Sequence, residues 1–186
     1  MILRLALFAL FACTLPGLTG CGQTSRIDID GNRVSMRNGD LHLRPTQGPA
    51  AIIAADGSLR IDGRTVELTG AQQAHLAEMH ATALSLVDAS LDIAKASGAV
   101  AAAAASEAIR SSLSGDSEGA EARVRARVNE RLGAPLAALC DHFDRLYAIQ
   151  QDLLADDMPA FEPYALFRPE GASRCREGQR ELSRGT

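Results

Sequence analysis

Apolar and polar residues alternate one for one through the early part of this chain. Ile27 and Ile29 alternate with Asp28 and Asp30, and Val34 and Met36 with Arg33, Ser35 and Arg37, while Leu41 and Leu43 flank His42. A period of two puts one face of a strand against a core and leaves the other wet. Between the runs stand Asp30-Gly31, Asn38-Gly39, Asp56-Gly57 and Asp62-Gly63, dipeptides that accept the positive φ angles of tight hairpin turns. Two of these turns lie in similar surroundings. Ile29-Asp30-Gly31-Asn32-Arg33-Val34-Ser35-Met36 and Ile61-Asp62-Gly63-Arg64-Thr65-Val66-Glu67-Leu68 place isoleucine, Asp-Gly and valine in register. Residues 26–68 therefore read as an antiparallel β-meander with two similar hairpins, and Pro45 to Pro49 as a loop between them.

The period changes at Leu68. Thr69 and Gln72 form a capping-box pattern, with the threonine hydroxyl placed to accept from the free N–H groups of a helix start. Leu76, Met79, Ala83, Val87, Leu91 and Ala94 recur every three or four residues, an apolar stripe along one helical face. Ser97-Gly98 is expected to break or kink this helix. Apart from Val100, residues 99–105 are all alanine, and side chains that small are expected to be buried under a closely approaching helix. Residues 114–119 read as a loop. A helix follows from Glu121 to Leu132, with Glu121 and Arg125 spaced for an i,i+4 pair. Gly133 and Pro135 separate it from a last helix carrying Leu136, Leu139, Phe143, Leu146 and Leu153. Prolines 159, 163 and 169 exclude long helices from the tail, which Phe161, Tyr164 and Phe167 are expected to pin down. The expected fold class is α+β: an N-terminal antiparallel meander followed by a helical bundle over 69–175, with residues 176–186 a disordered tail.

Residues 1–20 have a different character. Arg4 precedes the apolar run from Leu5 to Ala12, and small residues lead to Cys21, the pattern of a secretory signal peptide. Leu18-Thr19-Gly20-Cys21 resembles the lipobox of bacterial lipoproteins, which implies lipidation of Cys21 after removal of residues 1–20, with residues 21–25 as the lipidated start and tether. The apolar run is too short to span a bilayer and is broken by Pro16 and Gly17. Gly22 stands where aspartate signals retention in the inner membrane, so the expected location is the outer membrane, facing the periplasm.

The formal charge of −4 includes Arg4, so the side chains after residue 20 sum to −5. That balance offers no general attraction to nucleic acid. With no tryptophan and two tyrosines, the chain also lacks the stacking platform of a single-strand binder. Cysteine use says more. Cys13 leaves with the leader and Cys21 carries lipid, which leaves Cys140 and Cys175 as an even pair in an oxidising compartment. A disulfide between them is expected to stabilise the fold by roughly 4 kcal/mol through loop closure.

Candidate chemistry is thin. His75 and His80 lie five apart, so their imidazoles diverge on a helix, and His75 with Glu78 makes two ligands at most. These residues read as a solvated helix edge. Cys140-Asp141-His142 has the residue types of a thiol nucleophile and its base, but neighbours on a helix point apart. No catalytic residue, metal or cofactor is expected.

The junction of sheet and helix carries a family resemblance. Asp56-Gly57-Ser58-Leu59-Arg60-Ile61-Asp62-Gly63-Arg64-Thr65-Val66-Glu67-Leu68, running into Ala71-Gln72-Gln73, is similar to the YggN-like family of bacterial envelope proteins of unknown function. The resemblance is sharp over 51–80 and looser to Cys140; this chain is shorter and has a lipobox. It implies an envelope compartment and a hairpin-then-helix architecture, and it contributes no catalytic residue. Two functions are expected. One is a non-enzymatic, lipid-anchored module that presents a helical surface to an envelope partner. The other is a carrier or sensor holding a small apolar ligand between sheet and helices.

Overall fold

A computed structural model of the chain describes residues 25–29 and 31–184. The leader 1–20, Cys21 and the tether up to Thr24 lie outside the described residues. Among those described, the chain forms β1 (Ser25–Ile29), β2 (Asn32–Arg37), β3 (Asp40–Arg44), β4 (Ala51–Ile53), β5 (Leu59–Ile61) and β6 (Arg64–Thr65). Then come α1 (Gly70–Ser114), α2 (Ser117–Ala155), a 3₁₀ turn over Pro159–Tyr164, and α3 (Pro169–Arg184). The fold is α+β.

Each strand pairs antiparallel with the next, so the sheet order is the chain order. The two similar hairpins stand at its opposite edges with matching register. Ile29 faces Asn32 in the first and Ile61 faces Arg64 in the second. Asn38 and Gly39 both take positive φ, 52° and 85°, as a two-residue turn matched to the strand twist requires. The inner face of the sheet buries Val34, Met36, Leu41, Leu43, Ala51, Ile53 and Leu59.

The capping box forms at Thr69. Its hydroxyl accepts from the Gln72 backbone N–H at 3.2 Å, and Gln72 Oε1 accepts from the Thr69 N–H at 3.0 Å. Gln72 also reaches across the fold, where its Nε2 donates at 3.0 Å to the carbonyl of Asp156, the C-cap of α2. Its neighbour Gln73 donates to the carbonyl of Asp56 at 2.9 Å. The loop at Gly57 is pressed so close that a Cβ there would sit 2.0 Å from the Gln73 carbonyl oxygen. The Asp-Gly and Ala-Gln-Gln segments are thus two sides of one joint.

Several helix limits differ from the sequence expectation. Ser97-Gly98 neither breaks nor ends α1, which runs unbroken for 45 residues, about 68 Å at 1.5 Å per residue. Gly133 and Pro135 lie inside α2, a single helix of 39 residues. Pro135 removes the N–H that would bond the Arg131 carbonyl, and the helix continues through it with α1 and α3 packed along α2. Gln179 of α3 donates to the nearby Gly133 carbonyl at 3.2 Å. Residues after Cys175 are not a disordered tail but continue α3 to Arg184. Arg176 holds them to α2, bonding Asp141 at 3.0 Å and Asp144 as well. The Cys140–Cys175 disulfide is present and closes a separation of 35 residues.

Helices α1 and α2 run antiparallel, as the cross-pairs Gln72–Asp156, Glu78–Arg145 and Glu107–Arg123 require. Their lower halves cover the sheet. The core takes Leu76, Met79, Ala83, Leu86 and Val87 from α1, and Leu139, Phe143, Leu146, Ile149 and Leu153 from α2. Phe161, Tyr164 and Phe167 are buried in it, as expected. Tyr164 donates its hydroxyl to the Pro49 carbonyl at 3.0 Å. Buried Gln150 clamps the Phe167 backbone from both sides, donating to its carbonyl and accepting from its N–H, each at 2.8 Å. Beyond Val87 on α1 and before Leu139 on α2, the helices leave this core and continue as a two-helix arm.

Candidate interaction surfaces

Most residues that suggested chemistry are engaged in structural contacts instead. His75 Nδ1 lies 3.1 Å from a carboxylate oxygen of Asp156, but outside hydrogen-bond geometry. His80 is not at a solvated edge; it is buried, and its Nε2 meets the Gly39 carbonyl at 2.5 Å. It faces inward because Leu76, His80, Ala83 and Val87 share the side of α1 turned to the sheet. Glu78 pairs with Arg145 across the hairpin. Cys140 is held in the disulfide, leaving no thiol beside His142. Among the described residues, no three His, Cys, Asp or Glu are grouped as a metal site.

Three surfaces remain. The outer face of the sheet bears Arg26, Arg33, Arg37, His42, Arg44 and Arg60, because each alternates with an inward apolar neighbour. Asp28 and Asp40 answer part of that charge, with Arg33 at 3.6 Å and Arg60 at 3.5 Å from them. Burial, then the Arg37 guanidinium, holds His42 below its ordinary pKa, with Asp40 acting in the opposite sense.

The second surface is a groove of about 330 Å³ beside the edge strand β1. Ile27, Ile29, Phe143 and Phe167 line its floor, with Arg168 and Arg174 at the rim. The space directly between sheet and helices is nearly filled, leaving about 10 Å³ among Val34, Leu41, Ala83, Leu86 and Leu146.

The third surface is the arm. The expected stripe on α1 holds for Leu76, Met79 and Ala83, then departs: Leu91 is 42% exposed and Ala94 is exposed. The seam facing α2 instead passes through Leu86, Ala89, Ile93, Val100, Ala104 and Glu107. The alanine run is not buried as expected; Ala99, Ala101, Ala102 and Ala105 face solvent. Alanine carries no polarity pattern, so nothing in 99–105 marks the inward side. Near the tip, Glu107 is buried and receives Arg123 at 2.5 Å and Arg110 at 2.7 Å. Arg123 also reaches Asp116 at 3.2 Å, and both carboxylates, Glu107 first, raise its pKa further above the ordinary arginine value. This network ties the two helices beside the Gly115 turn, where apolar volume is small.

Leu84, Leu91, Ile109 and Leu113 are the exposed large apolar side chains among the described residues, at 45, 42, 65 and 85%. All four belong to α1. At 100° per residue they fall within an arc of about 40°, on the side opposite Ile93, Val100, Ala104 and Glu107. Lys95, Gly98, Ala102 and Ala105 lie on the same face between them. The spacings from 84 through 91, 98, 102, 105 and 109 to 113 are a second helical period, legible in the sequence once two stripes are sought on one helix.

Compared with family models, curated proteins and solved structures, the chain matches none.

Proposed function

We propose that this chain is a lipid-anchored interaction module of the bacterial envelope, a member of the YggN-like group without enzymatic activity. Cys21 carries the lipid in the outer membrane, the sheet and helix bases form a stable platform facing the periplasm, and the arm presents an apolar helical face to a protein partner. The observation that carries the reading is the exposed stripe of Leu84, Leu91, Ile109 and Leu113 on a single face of α1. Four large apolar side chains aligned on one exposed helical face suit a docking site, even with Lys95 among them. The lipobox supports the anchor, and Ser25 at the start of β1 places the platform a few residues from it.

Two experiments test the reading. A clickable fatty acid fed to cells should label the wild type and not Cys21→Ser; an unlabelled wild type removes the anchor. A photo-crosslinking residue at Ile109 should capture a defined protein in cells, and absence of any adduct removes the docking surface.

The groove beside β1 favours a second reading, a carrier or sensor of a small apolar ligand. Its volume of about 330 Å³ and its Ile27, Ile29, Phe143 and Phe167 floor suit an aliphatic chain. An environment-sensitive fluorescent fatty acid should then bind, and Phe143→Arg should weaken it.

A further inference from the structure

We infer that the partner of the α1 stripe is a second copy of this chain, docked antiparallel so that the two α1 helices cross-match about Ala99. This rests on the arm being a docking surface, and it names the occupant.

The stripe is close to symmetric about its own middle. Leu84 and Leu113 stand fifteen and fourteen residues from Ala99, and Leu91 and Ile109 stand eight and ten. The large side chains therefore occupy both ends, and Gly98, Ala102 and Ala105 occupy the centre. Reversing one helix against another lays leucine and isoleucine of each copy over the same kinds of side chain in the other. In the centre, small residues permit a close approach of the two backbones. A Cβ built at Gly98 meets nothing within 4 Å in the single chain, so this space is open for a neighbour.

Charge selects the direction. Asp88, Asp92 and Arg110 lie along one flank of the stripe. Arg110 is bonded to Glu107 of its own chain yet 68% exposed, while Lys95 lies within the arc of the stripe and pairs with Asp92 at 3.1 Å. Asp88 and Arg110 lie eleven residues on either side of Ala99, so antiparallel pairing about a two-fold axis brings Arg110 of each copy level with Asp88, and near Asp92, of the other. Parallel pairing would instead set the charged flank of each copy against the alanine flank of the other, which supplies Asp88 and Arg110 with no opposite charge across the interface. The other flank carries Ala94, Ala101, Ala105, Ala108 and Ser112, so nothing there resists approach. The stripe is about 44 Å long at 1.5 Å per residue. A helix pair of that length buries on the order of 1,000 Å² in total, the size of a weak or transient interface.

Cysteine crosslinking of the whole chain tests this. Gly98→Cys lies near the two-fold axis and should form a disulfide-linked dimer on mild oxidation, whereas Leu113→Cys at the tip should not. Mixing Leu84→Cys with Leu113→Cys should restore the link. The unsubstituted chain, oxidised in parallel, sets the background from its own cysteines. Combining Leu91→Glu and Ile109→Glu with Gly98→Cys should lower the crosslinked fraction at least tenfold. Because both side chains are exposed, helix content and thermal midpoint should stay at wild-type values. Self-linking of Leu113→Cys would mean parallel pairing and overturn the inference, as would no link at Gly98→Cys. If the photo-crosslinker at Ile109 captures a different protein and never this chain, the arm docks but its partner is not a copy. If it captures nothing, the inference and the docking role fall together.

Discussion

The base and the arm of this molecule are built from the same two helices and are held by different physics. In the base, α1 and α2 place Leu76, Met79, Leu146, Ile149 and Leu153 in a core shared with the sheet, each 0% exposed. Burying such a side chain contributes about 1.5–3 kcal/mol. In the arm, small side chains dominate the seam, and the buried residues are Ala89, Ala120 and the charge-paired Glu107. Helix propensity and an ion network do there what apolar volume does below. The contrast teaches that a long helix need not be uniform in purpose. Its lower part is committed to folding, and its upper part keeps its largest side chains outward.

The strongest way to break the comparison is to remove volume. Phe161→Ala in the base should cost about 4 kcal/mol, and Ile109→Ala in the arm less than about 0.5 kcal/mol. Urea midpoints of the two variants measure the difference, and near-equal values would mean that both regions depend on packing.

Glycine offers a second contrast. At Gly57, φ is 80° and a Cβ would collide with the Gln73 carbonyl, so Gly57→Ala should destabilise by about 3 kcal/mol or more. Gly98 is helical and open, so Gly98→Ala should stabilise by roughly 0.5–1 kcal/mol. A loss at Gly98 would show that the arm is constrained there.

The disulfide belongs to the base alone. Cys175→Ser should lower stability by about 3 kcal/mol, since loop closure over this separation is worth roughly 4 kcal/mol before compensation. Hydrogen exchange should quicken in α3 and the adjoining part of α2, and leave residues 95–130 unchanged.

The joint and the arm part company again at Thr69→Ala. Loss of that cap should cost about 1 kcal/mol, read as a shifted urea midpoint with unchanged slope.

The smallest effect is a pH dependence confined to the base. Burial, then the charge of Asp62, raises the pKa of Tyr164 above its ordinary value. The neutral phenol is the favoured form, so its contribution is complete below the unfolded-state pKa, near about 10, and is lost as pH rises through the higher folded value. Ultraviolet titration should show one tyrosine ionising late, and Tyr164→Phe should remove that late phase. An early, single transition would mean that Tyr164 is not shielded.

Short-range chemistry was legible in the sequence. Asn38-Gly39 and Asp62-Gly63 take left-handed conformations because few other residue pairs accept them. Thr69 and Gln72 cap α1 because both partners lie within one turn. The Cys140–Cys175 pair follows from counting. In each case the deciding energy involves residues close in the chain, or no alternative partner exists. Outcomes that depend on what lies across the fold were not legible. Gly98 and Pro135 have strong local costs, yet both stay helical because long antiparallel neighbours hold the backbone on either side of them. His80 and Gln150 look like surface residues until Gly39 and Phe167 supply backbone groups for them to satisfy. The alanine run has no side of its own, so only the position of α2 decides which of its residues face water. Two apolar stripes could be traced along α1 by period alone, and tertiary packing chose which of them to bury.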